Sequence, residues 1–237
     1  MVTLNELAYD LLELVRPNIA DDEAIDLRQI KFWIHNQRAL WLRNELNRYR
    51  TIDDNIVQDL GCVELEVADR STCPNLPIDC HILRTKKEIP NTVELHNKTA
   101  LTRVGPLDKT MPGYSIVEYK RAIFSGNGRF NKQQIFAFLL NNRIYLKMSP
   151  LNKDGKYLDY LNIRGVFETP TDVANFNDPS GTPCYTDDTK YPVNRWMIDY
   201  MKEAIVKSNL IIEQQAVGDL VNDSQGLITP PAAAKGQ

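Results

Sequence analysis

Histidine and cysteine are scarce in this chain, with three and four respectively in 237 residues. His35, His81 and His96 lie far apart and share no ligand spacing, so neither a histidine-based metal centre nor a histidine-centred triad is written into the sequence. Cys62, Cys73, Cys80 and Cys184 are too few for a disulfide framework and read as free thiols. Cys73, Cys80 and His81, with Cys62 as a fourth ligand, lack the CxxC knuckle of a structural zinc site. The nucleotide and hydrolase signatures are missing too. Gly126-Asn127-Gly128-Arg129 has no Gly-Lys-Ser/Thr ending and reads as a turn between extended runs, and neither GxSxG, HExxH nor a dinucleotide fingerprint occurs. No apolar run approaches membrane-spanning length, and MVTLNELAYDLLELV has acids in place of a basic leader region. A soluble protein made in a cytoplasm is expected.

What remains is ordinary in bulk and uneven in arrangement. The hydrophobic fraction of 43%, the charged fraction of 25% and a net charge of −3 describe a globular chain without a global pull toward nucleic acid or acidic membranes. Its length suits one elaborated domain, or a domain with an insertion, better than two independent ones. Up to residue 24, Glu6, Asp10, Glu13, Asp21, Asp22 and Glu23 face only Arg16. The following segment is basic, with Arg28, Lys31, Arg38, Arg43, Arg48 and Arg50. Such a contrast pairs helix with helix, within a subunit or between subunits.

The first helix starts at Thr3 with Glu6 three residues on, a capping box, and Pro17 ends it. A second, from Asp22 to Arg50, carries Leu27, Ile30, Ile34 and Trp41 on one stripe. Phe32, Trp33, Leu40, Leu42 and Leu46 extend its apolar surface well beyond one face. Aromatics alternating with arginines are typical of interface anchors, so this helix reads either as one with partners on two sides or as a core helix with solvated arginines. A short connection makes the two helices antiparallel neighbours.

From Leu60 the period changes to two. Val63, Leu65 and Val67 alternate with Glu64 and Glu66, and extended runs follow at Cys80–Thr85, Val93–Leu95, Leu101–Val104 and Tyr114–Tyr119. Gln134–Met148 is a hairpin about Asn141-Asn142, residues that tolerate the positive φ of a primed turn. Tyr160–Phe167 is another strand. Pro192, in a first helical turn, leads into Trp196, Met197, Tyr200, Met201, Ala204 and Ile205, a helix ending near Ser208. The expected fold is α+β: a helical bundle from both ends of the chain with a large antiparallel β insertion, sandwich or barrel-like. Its segments are 1–59 helical, 60–170 β, 171–210 loop and rejoining helix, and 211–237 a flexible tail. Leu210, Ile211, Ile212, Leu220 and Val221 are candidate anchors by which that tail docks on a neighbour.

Two acidic pairs, Asp53-Asp54 and Asp187-Asp188, are the remaining metal candidates. Helix capping and solvation account for them more cheaply. Arg38, Arg43, Arg48 and Arg50 could meet phosphates, yet no nucleic-acid-binding signature accompanies them. The candidate interface or channel residues are therefore Arg28, Lys31, Trp33, Arg38, Trp41 and Arg43. No catalytic residue, metal ligand or cofactor is assigned, and an assembly role, a nucleic-acid-binding accessory role for helix 28–50, and a metal-dependent hydrolase using Asp187, Asp188 and a histidine stand in that order.

The blocks TLNELAYDLLELVRP, IDLRQIKFWIHNQRALWLRNEL, DDNIVQDLGCVELE, IPNTVELHNKTALTRVGP, GNGRFNKQQIFAFLLNNRIYL, YLNIRGVFETPTDVANF and GTPCYTDDTKYPVNRWMIDYMKE resemble a virion structural protein of crAss-like bacteriophages, a ring protein of the head-to-tail connector. The resemblance runs from about Val2 to Leu210. Podovirus tail adaptor proteins are more distantly similar. What the resemblance implies is a non-enzymatic virion subunit, repeated twelvefold around the portal axis after assembly in the host cytoplasm. It would extend the channel through which double-stranded DNA passes, contact portal or neighbouring rings, and attach tail components.

Overall fold

A computed structural model describes residues 2–16, 25–48, 51–68, 82–96, 99–126, 128–131, 134–147 and 158–208. The fold is α+β, with helices packed on a curled, mixed β-sheet that forms a half-barrel.

Helix α1 (Leu4–Val15) begins with the expected capping box: the Glu6 amide donates to Thr3 Oγ1 at 3.2 Å, and the Glu6 carboxylate accepts from the Thr3 amide at 2.9 Å. Its buried side is Leu4, Leu7, Ala8, Leu11 and Val15. Helix α2 (Leu27–Arg48) starts later than Asp22, because the Asp26 carbonyl is the one that accepts the first helical amides, those of Gln29 and Ile30. Its buried stripe is Ile30, Ile34, Arg38, Leu42 and Leu46, a strict four-residue repeat with an arginine in the middle. The last helix, α4, spans 195–208. Pro192 lies ahead of it and not in its first turn. Leu7 and Leu11 of α1, Ile34 of α2, and Ile198, Met201 and Ile205 of α4 line a common seam, so both ends of the chain meet in one helical layer.

The strands are β1 (Gln58–Asp59), β2 (Val63–Ala68), β3 (Ile82–Thr85), β4 (Leu101–Gly105), β5 (Ser115–Ile116), β6 (Phe136–Leu140), β7 (Arg143–Lys147) and β8 (Tyr160–Gly165). Central β8 has β4 on one side and the bent β1–β2 segment on the other; β3, β7, β6 and β5 follow β2. Among the described residues every pairing is antiparallel except β5 with β6, which is parallel, so the sheet is mixed and not purely antiparallel. The two ends of the sheet meet where the Tyr114 amide donates to the Val104 carbonyl at 2.6 Å. A Cβ on Gly105 would lie 3.1 Å from Gly113 Cα, so the close approach of these backbones favours glycine at both positions.

The hairpin β6–β7 turns through Asn141 and Asn142 at φ 48° and 55°, the left-handed pair a two-residue primed turn requires. Its unbroken apolar sequence has a structural reason. Ala137, Ile144 and Leu146 face the main core, while Phe138 and Tyr145 point to the other side and stack at 5.4 Å in a second cluster with Ala68, Ile82 and Ala122. Helix α3 (Tyr119–Ala122) covers that second cluster, with Tyr119 against Phe138. Here the expected strand Tyr114–Tyr119 stops at Ile116, because backbone that would extend it turns into α3 to roof the outer face. Likewise Val67, expected to continue the inward alternation, is exposed where β2 leaves the core, while Ala68 is buried in the second cluster. Val93–Leu95 forms no strand; it is held by the Val93 amide bonding to Val166.

The main core runs without interruption from Leu4 and Ile34 through Leu65 and Ile144 to Met197. Helices and sheet are thus two layers over one core.

Candidate subunit interface

The sequence-level candidates sit on α2, and the structure divides them. Arg38 is fully buried. Its Nε donates to the Pro192 carbonyl at 2.8 Å and its Nη1 to the Phe167 carbonyl at 2.7 Å, with Glu168 O at 3.4 Å, and the guanidinium lies 5.7 Å from the centre of the Tyr191 ring. Arg38 therefore ties α2 to the segments after β8 and before α4, and it offers nothing to a channel or a neighbour. Its Nη2 and the Tyr185 hydroxyl are buried without a hydrogen-bond partner. Burial lowers the Arg38 pKa, and the nearby Tyr191 and Tyr185 act in the opposite sense.

Lys31 is half-buried and donates to Asp187 at 2.6 Å. His35, beside it, meets the Tyr191 hydroxyl at 2.9 Å; burial, then the charges of Arg38 and Lys31, hold its pKa down to about 4 against a smaller upward pull from Asp187. It is a neutral ring, and burial also keeps the Tyr191 phenol protonated. Arg28 is exposed. Arg43 is exposed 4.0 Å from Glu94, at the edge of a shallow hollow of about 330 Å³ between α2 and residues 92–96 and 99. Trp33 is half-buried against the main core. Leu210, Ile211, Ile212, Leu220 and Val221, like Arg50, lie outside the described residues.

Trp41 is the candidate that gathers others. Its ring is 6.5 Å from Trp196 in an edge-on contact and 5.8 Å from Tyr200, and Trp196 and Tyr200 themselves meet at 6.4 Å. Trp196 is 49% and Tyr200 54% exposed. Three large aromatics thus hold one another in place on the outside of the α2–α4 pair. Pre-formed aromatic surface of this kind is the compositional mark of an interface anchor. On α4 the same surface includes Asp199 and Glu203, since 196, 199, 200 and 203 share a helical face. Phe32 and Leu40 are exposed on α2. The alternating helix signal around Trp196 was readable in sequence, but its pairing with Trp41 was not, because contacts between residues 155 positions apart carry no local pattern.

The alternative chemistries find their residues engaged elsewhere. Asp187 pairs with Lys31, Asp188 accepts from Asn5 at 3.0 Å, and Asp53 caps the turn at Asp54–Ile56 through the Asn55 amide at 3.0 Å. Among the described residues no three His, Cys, Asp or Glu side chains come together as metal ligands. Burial and the nearby Asp59 and Asp178 carboxylates raise the Cys184 pKa to about 11 and push Cys62 up as well, which keeps both thiols protonated. No helix among the described residues is long and apolar enough to cross a membrane.

Comparison with individually curated proteins finds no match. A protein family described as phage tail ring protein 2 matches residues 6–228, which takes in α1 from its third residue, α2, all the described strands and α4. With nearly the full chain covered, this protein belongs to the phage tail ring protein 2 family of crAss-like phages, structural components of the virion.

Proposed function

We propose that this chain assembles into a homo-oligomeric ring, twelvefold as the resemblance to connector ring proteins implies, in the portal–neck–tail stack of the particle. There it extends the channel through which DNA leaves the head and provides a platform for tail attachment, without catalysing a reaction. The observation that carries this reading is the ordered, half-exposed aromatic face of Trp41, Trp196 and Tyr200 on a chain of a ring-protein family. Closed rings built head to tail need two different faces of each subunit that complement each other, and an aromatic face left open to solvent supplies one.

Electron microscopy of purified particles, with focused reconstruction along the portal axis, tests the proposal. A ring of this chain coaxial with the portal is expected; particles without this chain would overturn it. The competing reading, a nucleic-acid-binding accessory protein using helix 28–50, loses its central residue, because Arg38 is buried and Lys31 is paired with Asp187. It predicts a salt-sensitive gel shift that weakens when Arg28 and Arg43 are both replaced by Ala.

A further inference from the structure

Between β5 and β6 the chain leaves the sheet as a projection, described over residues 118–126 and 128–131. Its base is fixed. Ala122 is buried in the second cluster, Tyr119 lies against Phe138, and the Lys147 ammonium donates to the Ala122 and Ile123 carbonyls at 2.9 and 3.0 Å, closing the end of α3. Its outer part is the opposite of a fixed core element: Phe124 is 78% and Phe130 90% exposed, and Lys120, Arg121 and Arg129 are exposed around them. Holding two phenylalanines in solvent on an anchored base is a standing cost that a partner would remove. The projection sits over the second cluster, whereas Trp41 belongs to the periphery of the main core at the helical layer.

The two surfaces match in chemistry. One is basic and carries phenylalanines; the other, on α2 and α4, is Trp41, Trp196 and Tyr200 with Asp199 along the same helix face and Glu203, which pairs with Lys207 one turn on. Guanidinium groups stack on indole and phenol faces and pair with carboxylates, and phenylalanine rings pack edge-on against the same aromatics. We propose that the 118–131 projection of each copy docks on the α2–α4 aromatic face of a second copy of this chain, forming the head-to-tail contact of the ring. This rests on the ring reading and adds to it the two faces that meet. A contact of this kind is heterologous, and repetition around an axis closes it.

The test uses full-length protein supplied to assembling particles in infected cells, with Phe130 replaced by the photo-crosslinking residue p-benzoylphenylalanine and heavy- and light-isotope copies mixed. Irradiation is expected to link position 130 to the peptide containing residues 196–203, with heavy–light pairs showing that the link joins two copies. Links to DNA, to another virion protein or within one copy, or no link from a ring that is present, would overturn this contact and leave the ring itself standing; a ring absent from unmodified particles would instead remove the reading beneath it. In parallel, Arg121→Glu with Arg129→Glu is expected to reduce incorporation at least tenfold, with unchanged thermal melting of the free subunit because both side chains are exposed. Adding Asp199→Arg and Glu203→Arg in the same chain is expected to restore incorporation. Normal incorporation of the first pair, or no recovery with all four, would count against the contact.

Discussion

Arg38 donates to the Phe167 carbonyl at 2.7 Å from the centre of the helix face that packs on the core. A buried guanidinium bound to main-chain carbonyls through Nε and Nη1, with no carboxylate among its hydrogen-bond partners, works as a staple: it fixes where the segment after β8 and the approach to α4 lie on α2. Removing it strands two buried carbonyls and opens a cavity. Arg38→Ala is expected to lower unfolding free energy by about 3 kcal/mol or more, read by urea denaturation of the subunit. Arg38→Lys should recover little, since one ammonium cannot reproduce the separate Nε and Nη1 bonds. A gel-shift change without a stability change would contradict the buried placement.

His35 gives the subunit a dependence on acid. Its folded pKa of about 4 lies below the ordinary value of 6.5, so the unfolded chain binds a proton that the folded one refuses. Stability is therefore fully present above about pH 6.5 and is lost as pH falls toward 4, by about 3 kcal/mol over the window. Below that the folded form also protonates and this contribution levels off. His35→Gln should flatten the stability profile between pH 6.5 and 4 relative to the parent protein, which thermal melting across that range would measure.

The legible parts of this fold were those with a local cause. Thr3 and Glu6 announce a helix start through two hydrogen bonds three residues apart, and Asn141-Asn142 announces a turn through the backbone angles asparagine tolerates. The apolar excess of α2 was equally visible, but its meaning was not. An arginine in a four-residue repeat with isoleucines and leucines reads as a break in the stripe, whereas here Arg38 is the stripe's middle member because carbonyls from positions 167 and 192 reach it. The roof over the outer sheet face was missed for a similar reason: Tyr119 and Ala122 form a single helical turn whose only signal is the partner surface of Phe138 and Tyr145. For the candidate interface, Trp41 was identifiable by residue type, while Trp196 and Tyr200 became its companions only through the meeting of the chain's two ends.

Gly61 makes the bend that lets one segment pair with β8 as both β1 and β2. It has φ +65°, and an added Cβ would lie 2.5 Å from the Asn177 carbonyl oxygen, 2.9 Å from Asp178 Cα and 2.9 Å from Cys184 Sγ. Backbone holds two of those three positions. The same bend is secured by buried Asn162, which donates to Asp59 at 2.6 Å and to the Gly61 carbonyl at 3.2 Å. Gly61→Ala combines a left-handed φ with a backbone clash and is expected to cost about 3 kcal/mol or more. Chemical denaturation would show this as a lower midpoint, and a midpoint unchanged from the parent would mean that the bend is not shaped as described.

Trp196 and Tyr200 separate assembly from folding. About half of each side chain is open to solvent, so their removal takes little from the subunit's own core; Met197, Met201 and Ile205, on the inner side of the same helix, carry that burden. Trp196→Ala with Tyr200→Ala is expected to change subunit melting by only a few degrees while reducing ring incorporation into particles at least tenfold, because truncation of central aromatic anchors typically costs 2 kcal/mol or more of binding energy. Met201→Ala makes the converse control, a loss of about 2–5 kcal/mol in subunit stability with any assembly defect following from it. Quantifying the chain per particle by mass spectrometry, beside melting curves of the purified subunits, distinguishes the two. Full incorporation of the double aromatic variant would show that the α2–α4 face points away from every neighbour.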